Sequence, residues 1–408
     1  MSKDVKNVPA LRFKGYSDAW EKRELGEIFN VVTDYVANGS FKSLRQRVST
    51  YSNPNFAYMI RLQDASNNWK GPWLYTDQQS YSFLAKTKLH PGDILMSNVG
   101  SVGKFFLVPD LDRPMTLAPN AVLLRSMTYS TYFLFQLLQT SSMTESINEK
   151  TTPGVQQKIN KTDFKKIITN VPTLNESSMV GQMLFLLDNL IAATQDSIEA
   201  LGQAKKALLQ HLFDQSWRFK GYSDPWEKRK LGEIARIFDG THQTPNYQSS
   251  GIMFLSVENI QTLKSNKFIS LEDFQKDFKV SPRTGDILMT RIGNIGTTNV
   301  VKSTRPIAYY VSLALIRPND AIDVYYLNYA INGLSFQREL RRRTLSVAFP
   351  QKINKQEIGK SIVDLPSPSE QIQIGNLFVL LDNLIAATQS RLSSLESLKK
   401  SLLQDLFI

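Results

Sequence analysis

Apolar residues recur at Val180, Leu184, Leu187, Ile191, Ile198, Leu201, Leu208 and Leu212, with Thr194 in the same row. The steps alternate between four and three, which is heptad spacing and predicts a long helix with one buried seam. The row returns at Ile374, Phe378, Leu381, Ile385, Thr388, Leu392, Leu395, Leu402 and Leu406. Lys205 breaks the first row, and Lys399 takes the matching place in the second. Thr173-Leu-Asn-Glu176 and Ser367-Pro-Ser-Glu370 stand before the two rows as capping boxes, with Pro368 at a first helical position.

Outside these rows the pattern shortens. YMIRLQ, GDILMSNVG, NAVLLR, GIMFLSV, GDILMTRIG and SLALIRP are short apolar runs bounded by Gly, Pro or Asn, as strands are. TYFLFQLLQTSSMTESINEK and DVYYLNYAINGLSFQRELRRR have helical periodicity. The expected fold class is α+β in two modules, each closed by a long helix.

The chain is one module written twice. LLDNLIAATQ begins at Leu186 and at Leu380, RFKGYSD at Arg12 and Arg218, GDILM at Gly92 and Gly285, and QKINK at Gln157 and Gln351. The lag between copies is 206 at the first block in chain order, 193 at GDILM and 194 from QKINK onward. Between Ile28 and Gly92 lie 63 residues, but between Ile234 and Gly285 only 50, and these stretches share little. Similar edges around different middles fit two copies of one partner and two different targets. Expected boundaries are 1–172 and 217–366 for the globular parts, with 173–216 and 367–408 for the helices. Only three residues separate Phe213 from Trp217, so the second helix is expected to run back along the first as an antiparallel coiled coil. About 35 residues at 1.5 Å each would then hold the modules on the order of 50 Å apart.

Charge adds a partner to this picture. The net charge is +11, yet residues 176–214 carry −3 and residues 369–408 carry −1, leaving +15 on the globular parts. Such a distribution suits a partner made of phosphates. With no cysteine, disulfides and thiolate chemistry are excluded. No run approaches the roughly 18 apolar residues of a membrane helix, and the first residues have no apolar core of the secretory kind. The expectation is a cytoplasmic protein.

Catalytic chemistry is not legible. His90, His211 and His242 have no metal-ligand spacing. Gly359-Lys360-Ser361 lacks the earlier glycine of a phosphate loop, since Asn354 stands there. Asp163-Phe-Lys165 and Asp277-Phe-Lys279 have a spacing found in some nucleases but also common on surfaces.

Recognition chemistry is easier to find. Gly100-Ser-Val-Gly103 and Gly293-Asn-Ile-Gly296 follow GDILM, where glycine permits either a tight turn or close approach of a phosphate. Ser97-Asn98 in one copy stands against Thr290-Arg291 in the other, polar variation of the kind base reading needs. Arg338, Arg341, Arg342 and Arg343 form a basic helix end, matched in the first copy to Thr144, Ile147, Asn148 and Glu149.

In this order and twice over, these motifs resemble the specificity subunit of type I restriction–modification systems. The strand ending in GDIL before Gly-x-x-Gly, Thr244-Pro-Asn-Tyr247, Pro366-Ser-Pro-Ser-Glu370-Gln371 and Leu381-Asp-Asn-Leu-Ile385 carry the resemblance. The first copy departs from it: Ser177 follows Glu176, and the Thr-Pro element is missing. The resemblance implies two tandem target-recognition domains separated by the antiparallel helices, and a bipartite duplex DNA target with one half per domain. DNA contacts are expected at Arg61, Ser97, Asn98 and Lys104 in the first domain. In the second they are expected at Thr241, Gln243, Thr244, Asn246, Tyr247, Arg291, Asn294, Arg341, Arg342 and Arg343. Two modification subunits would dock on the repeated helices at Leu187, Asp188, Ile191, Leu381, Asp382 and Ile385, and restriction subunits would join them. No metal or cofactor is expected in this chain; S-adenosylmethionine, ATP and Mg would belong to the partner subunits. The alternatives are a tandem RNA-binding adaptor using the glycine turns as backbone clamps, and a DNA-processing enzyme using the Asp-x-Lys pairs.

Overall fold

The computed structural model describes residues 7–152, 157–344 and 350–407. The sequence reading of the N-terminal segment falls partly on residues 1–6, outside the described residues. Two compact units emerge: residues 1–194 with 391–408, and residues 195–390. Each unit therefore takes the start of one long helix and the end of the other. Among the described residues no helix is long and apolar enough to cross a membrane.

The first unit is built on a four-stranded antiparallel sheet in the order Val31–Asp34, Ala121–Arg125, Ile94–Ser97, Phe105–Leu107. Glu21–Glu24 pairs with Ile168–Val171 beside it. The second unit repeats this frame with Ala235–Asp239, Leu313–Pro318, Ile287–Thr290 and Thr298–Val300, and with Glu227–Lys230 against Ile362–Leu365. Strands and helices pack in one mixed core per frame, so the α+β expectation holds.

Each expected helical run is two helices. Thr131–Leu137 ends where the Thr140 hydroxyl, accepting from the Met143 N–H at 3.3 Å, starts Ser141–Lys150. Val324–Asn332 gives way at Gly333 to Leu334–Arg343. The second helices of the two pairs correct the sequence alignment. Met143 and Ile147 are buried in one, Phe336 and Leu340 in the other. The lag there is thus 193, and Ile147 matches Leu340. Asn148, Glu149 and Lys150 stand where the second copy has Arg341, Arg342 and Arg343.

The divergent middles, each joined by one strand from beyond GDILM, build a second sheet in each unit. In the first it has five strands, in the order Thr50–Tyr51, Tyr75–Thr76, Ala57–Ile60, Met115–Leu117, Lys88–Leu89, with Phe41–Arg47, Leu62–Ser66 and Gln78–Phe83 as helices around it. In the second it has three, in the order Phe268–Ile269, Ile252–Leu255, Ile307–Tyr309, with the helix Leu271–Asp277. Both keep one parallel pair, Ala57–Ile60 with Met115–Leu117 and Ile252–Leu255 with Ile307–Tyr309.

The long helices are Leu174–Phe213 and Pro368–Leu406. Both capping hydroxyls accept as expected, Thr173 from the Glu176 N–H at 3.3 Å and Ser367 from the Glu370 N–H at 3.4 Å. The glutamates do not complete the boxes. Arg12 holds both Glu176 oxygens at 2.8 and 2.6 Å, and Arg218 holds those of Glu370 at 2.7 and 2.8 Å. The bond to Glu176 also raises the Arg12 pKa. Within the second unit the two helical stretches run antiparallel: Lys205 pairs with Asp382, and eight residues on, Phe213 stacks on Phe378.

Gly181 and Gly375, 194 residues apart, show why a helix keeps a residue that costs it about 1 kcal/mol against alanine. A Cβ at Gly181 would lie 2.4 Å from Ser130 Oγ, and one at Gly375 would lie 2.5 Å from Asp323 Oδ1. Those two side chains cap Thr131–Leu137 and Val324–Asn332. The glycines let each domain's helix start against its long helix.

Candidate nucleic-acid interface

The repeated blocks prove to be the frame. In GDILM, Asp93 and Asp286 are buried and each receives a two-pronged arginine, Arg125 at 2.6 and 2.6 Å and Arg317 at 2.9 and 2.7 Å. QKINK meets the glycine turn: the Gly100 N–H donates to the Gln157 carbonyl and that of Gly293 to the Gln351 carbonyl, both at 2.9 Å. Gly100 and Gly103 adopt φ of 78° and 80°, Gly293 and Gly296 of 77° and 93°, so these turns need glycine for backbone reasons. With its first N–H already bonded inside the chain, each turn lacks that donor for a phosphate.

LLDNLIAATQ supplies a polar contact with the other helix. Asp188 pairs with Lys399 at 2.7 Å and accepts from Tyr132 at 2.5 Å and Gln136 at 2.9 Å. Asp382 pairs with Lys205 and accepts from Tyr329 at 2.5 Å. Burial, and then these bonds, push the phenol pKa values of Tyr132 and Tyr329 well upward. The repeat lag of 194 exchanges the two pairs, so the lysines that interrupt the apolar rows are each the partner of a repeated aspartate.

The residues expected to dock partner subunits are therefore engaged within the chain. Leu187 is buried, Ile191, Leu381 and Ile385 are half-buried along the seam, and both aspartates are paired. The apolar positions that face outward lie next to them: Phe185, Leu186 and Leu190 on one helix, Leu380 and Leu384 on the other. Leu186 and Leu380 are 60% and 66% exposed, so the repeated block keeps an apolar group in solvent at the same place in both helices.

The expected DNA-contact residues fall into two groups. Ser97 is buried at the end of its strand, and Arg61 is tied to Asp64 at 3.0 and 2.6 Å and to the Pro72 carbonyl. Arg291 donates to Asp239 and to the Ile353 carbonyl at 3.0 Å. Arg343 pairs with Glu339 and Glu357. Thr241 bonds through its backbone with Tyr309 and Val311, holding the loop that carries exposed Gln243, Thr244, Asn246 and Tyr247. Tyr247 meets Phe254 edge-on, with Lys267 over its ring. Lys104, Asn294, Arg341 and Arg342 are exposed; Asn294 and Arg341 line one concavity of about 350 Å³ with Gln337 and Gln351.

Asn98 and Arg291 occupy the same place in the two frames. Asp34 faces Val122 and through it Met96 of GDILM; Asp239 faces Ala314 and through it Met289. Lys161 and Lys355 of the QKINK blocks pair with these aspartates at 2.8 and 3.3 Å. In the second domain Arg291 lies against the carboxylate. In the first, the shorter Asn98 lines a groove of about 590 Å³. The far wall of this groove is the helix Phe41–Arg47; with nothing equivalent in the other copy, the sequence singles out none of its residues within the divergent stretch.

A duplicated α+β frame carrying unlike insertions defines a class of protein, a two-domain recognition module with paired helices. The chain belongs to the type I restriction modification DNA specificity domain family, whose model matches residues 17–203 and 223–397. It is 25% identical over 359 residues to a Methanocaldococcus jannaschii protein described as a type I restriction enzyme MjaX specificity subunit, covering 81% of this chain and 80% of that one. It is 24% identical over 293 residues to the type I restriction enzyme MjaVIII specificity subunit of the same organism, covering 67% and 68%. The crystal structure of the type I restriction-modification system S subunit from M. genitalium has the same fold, with a TM-score of 0.61 at 17% identity over 98% of this chain and 99% of that one.

Proposed function

We propose that this chain is the DNA-recognition subunit of a type I restriction–modification complex and reads a bipartite duplex target, one half-site per domain. The observation that carries the reading is the split between a shared frame and unlike insertions. Every repeated block makes structural contacts, while the stretches between Ile28 and Gly92 and between Ile234 and Gly285 build different surfaces on the same support. One frame with two reading surfaces suits one sequence with two unlike halves. The positive charge outside the long helices supplies the phosphate attraction that any duplex target requires.

In this reading the chain itself is non-catalytic. Methylation with S-adenosylmethionine belongs to two modification subunits, and ATP- and Mg-dependent cleavage to restriction subunits. The outward leucines Leu186, Leu190, Leu380 and Leu384, at matching places in both repeats, are the docking face for two copies of one partner. The RNA-adaptor reading loses its main support, because the Gly100 and Gly293 N–H groups it would use as clamps are bonded within the chain.

The test is a competition assay with the chain and its modification partner. Labelled duplex containing the methylated motif should be displaced by the same unlabelled duplex and not by its RNA counterpart. Preferential displacement by RNA would overturn the proposal.

A further inference from the structure

The groove of the first domain has two walls of different origin. Asn98, Asn120 and Lys158 come from the frame; Phe41, Leu44 and Arg45 come from the divergent helix Phe41–Arg47. A surface that sets specificity needs both, a fixed wall to position the DNA and a variable wall to choose it.

Its chemistry is that of a nucleic-acid contact. Arg45 and Lys158 are exposed, and neither makes an ion pair among the described residues. Phe41 is 74% exposed at the rim, on a helix whose buried side is held by Leu44. The Asn98 Oδ1 is out of solvent and has no hydrogen-bond partner among the described residues. An acceptor left in that state is costly, and because it makes no bond where it sits, turning the amide outward to meet a base loses no hydrogen bond and ends that cost. In the second domain the same position carries Arg291, whose guanidinium is taken up by Asp239 and the Ile353 carbonyl.

We propose that this groove reads the first half-site, with Asn98 contacting a base edge and Arg45 and Lys158 holding the flanking phosphates. The inference rests on the DNA-recognition reading above and adds where the first domain reads and with which groups. An asparagine amide matches the N6 and N7 edge of adenine, so the position read by Asn98 is an adenine–thymine pair. Arg291, already bonded on two sides, serves the frame of the second domain. There the exposed loop bearing Gln243 and Asn246 takes over base contact.

Asn98→Ala and Arg45→Ala, each expressed with the modification partner, separate these roles. Methylated sites are mapped across a genome, and affinity is measured against salt. Asn98→Ala should relax one position of the first half-site, discrimination there falling about 5- to 150-fold. Arg45→Ala should leave the motif intact, weaken every site alike and lower the salt slope by about one. The second half-site should be unchanged in both, which also reports that the complex is folded. A first half-site still read in full by Asn98→Ala, or an unchanged salt slope in Arg45→Ala, overturns the groove assignment and leaves the bipartite reading standing. Relaxation of the second half-site instead would contradict both.

Discussion

Glu176→Ala is expected to destabilise the first domain by about 3–5 kcal/mol, the cost of breaking a buried ion pair from one side. The Glu176 side chain is 1% exposed and that of Arg12 9%, so the guanidinium left behind would have little water to recover. It also loses two charge-assisted bonds at once. Arginine keeps its proton throughout the working pH range, so it cannot escape the penalty by neutralising. Glu370→Ala repeats the experiment in the second domain, where Arg218 is 18% exposed and the loss should be somewhat smaller. By contrast, Glu21→Ala, which breaks the surface pair with Arg23 at 65% and 39% exposure, should cost little. Chemical denaturation of the three variants checks the ranking; equal losses would mean that RFKGYSD is repeated for some other reason.

The second large effect concerns assembly. Leu186→Asp and Leu380→Asp place a charge on an exposed helix face, where the fold should lose no more than about 1 kcal/mol. If these leucines form the docking face, burying the new carboxylate in an interface should cost at least about 2 kcal/mol, or roughly 30-fold in partner affinity. Each single variant should lose one modification subunit and the double variant both, read by native mass spectrometry. Leu187→Asp is the contrasting case: Leu187 is buried on the seam, so the fold itself should suffer first. Retention of both partners by the double variant would remove the outward leucines from the docking account.

The sequence was most informative where a periodicity has one cause. The heptad rows became the long helices, and the short apolar runs became strands at the expected places. It was least informative where a residue's role lies with a distant partner. Arg12 and Glu176 are 164 positions apart, and Lys205 and Asp382 are 177 apart, so neither the stray lysine nor the incomplete capping box could be explained locally. Polarity at a varying position was also ambiguous. Asn98 and Arg291 have equal claim as reading residues in the sequence, which does not show that one amide oxygen lacks a hydrogen-bond partner among the described residues while the other position's guanidinium is already bonded. A lag of 194 puts the basic helix end one residue out of step, because buried Ile147 and Leu340 fix the register there.

The central claim is that each domain carries its own half-site. The frames begin and end on matched strands, Glu21–Glu24 with Ile168–Val171 and Glu227–Lys230 with Ile362–Leu365, so residues 227–365 can replace residues 21–171 without altering the joints. The measurement is the genome-wide methylated motif produced by this graft together with its modification partner. The account predicts that the bases of the first half-site disappear and those of the second half-site occur twice. Persistence of the original first half-site would contradict it.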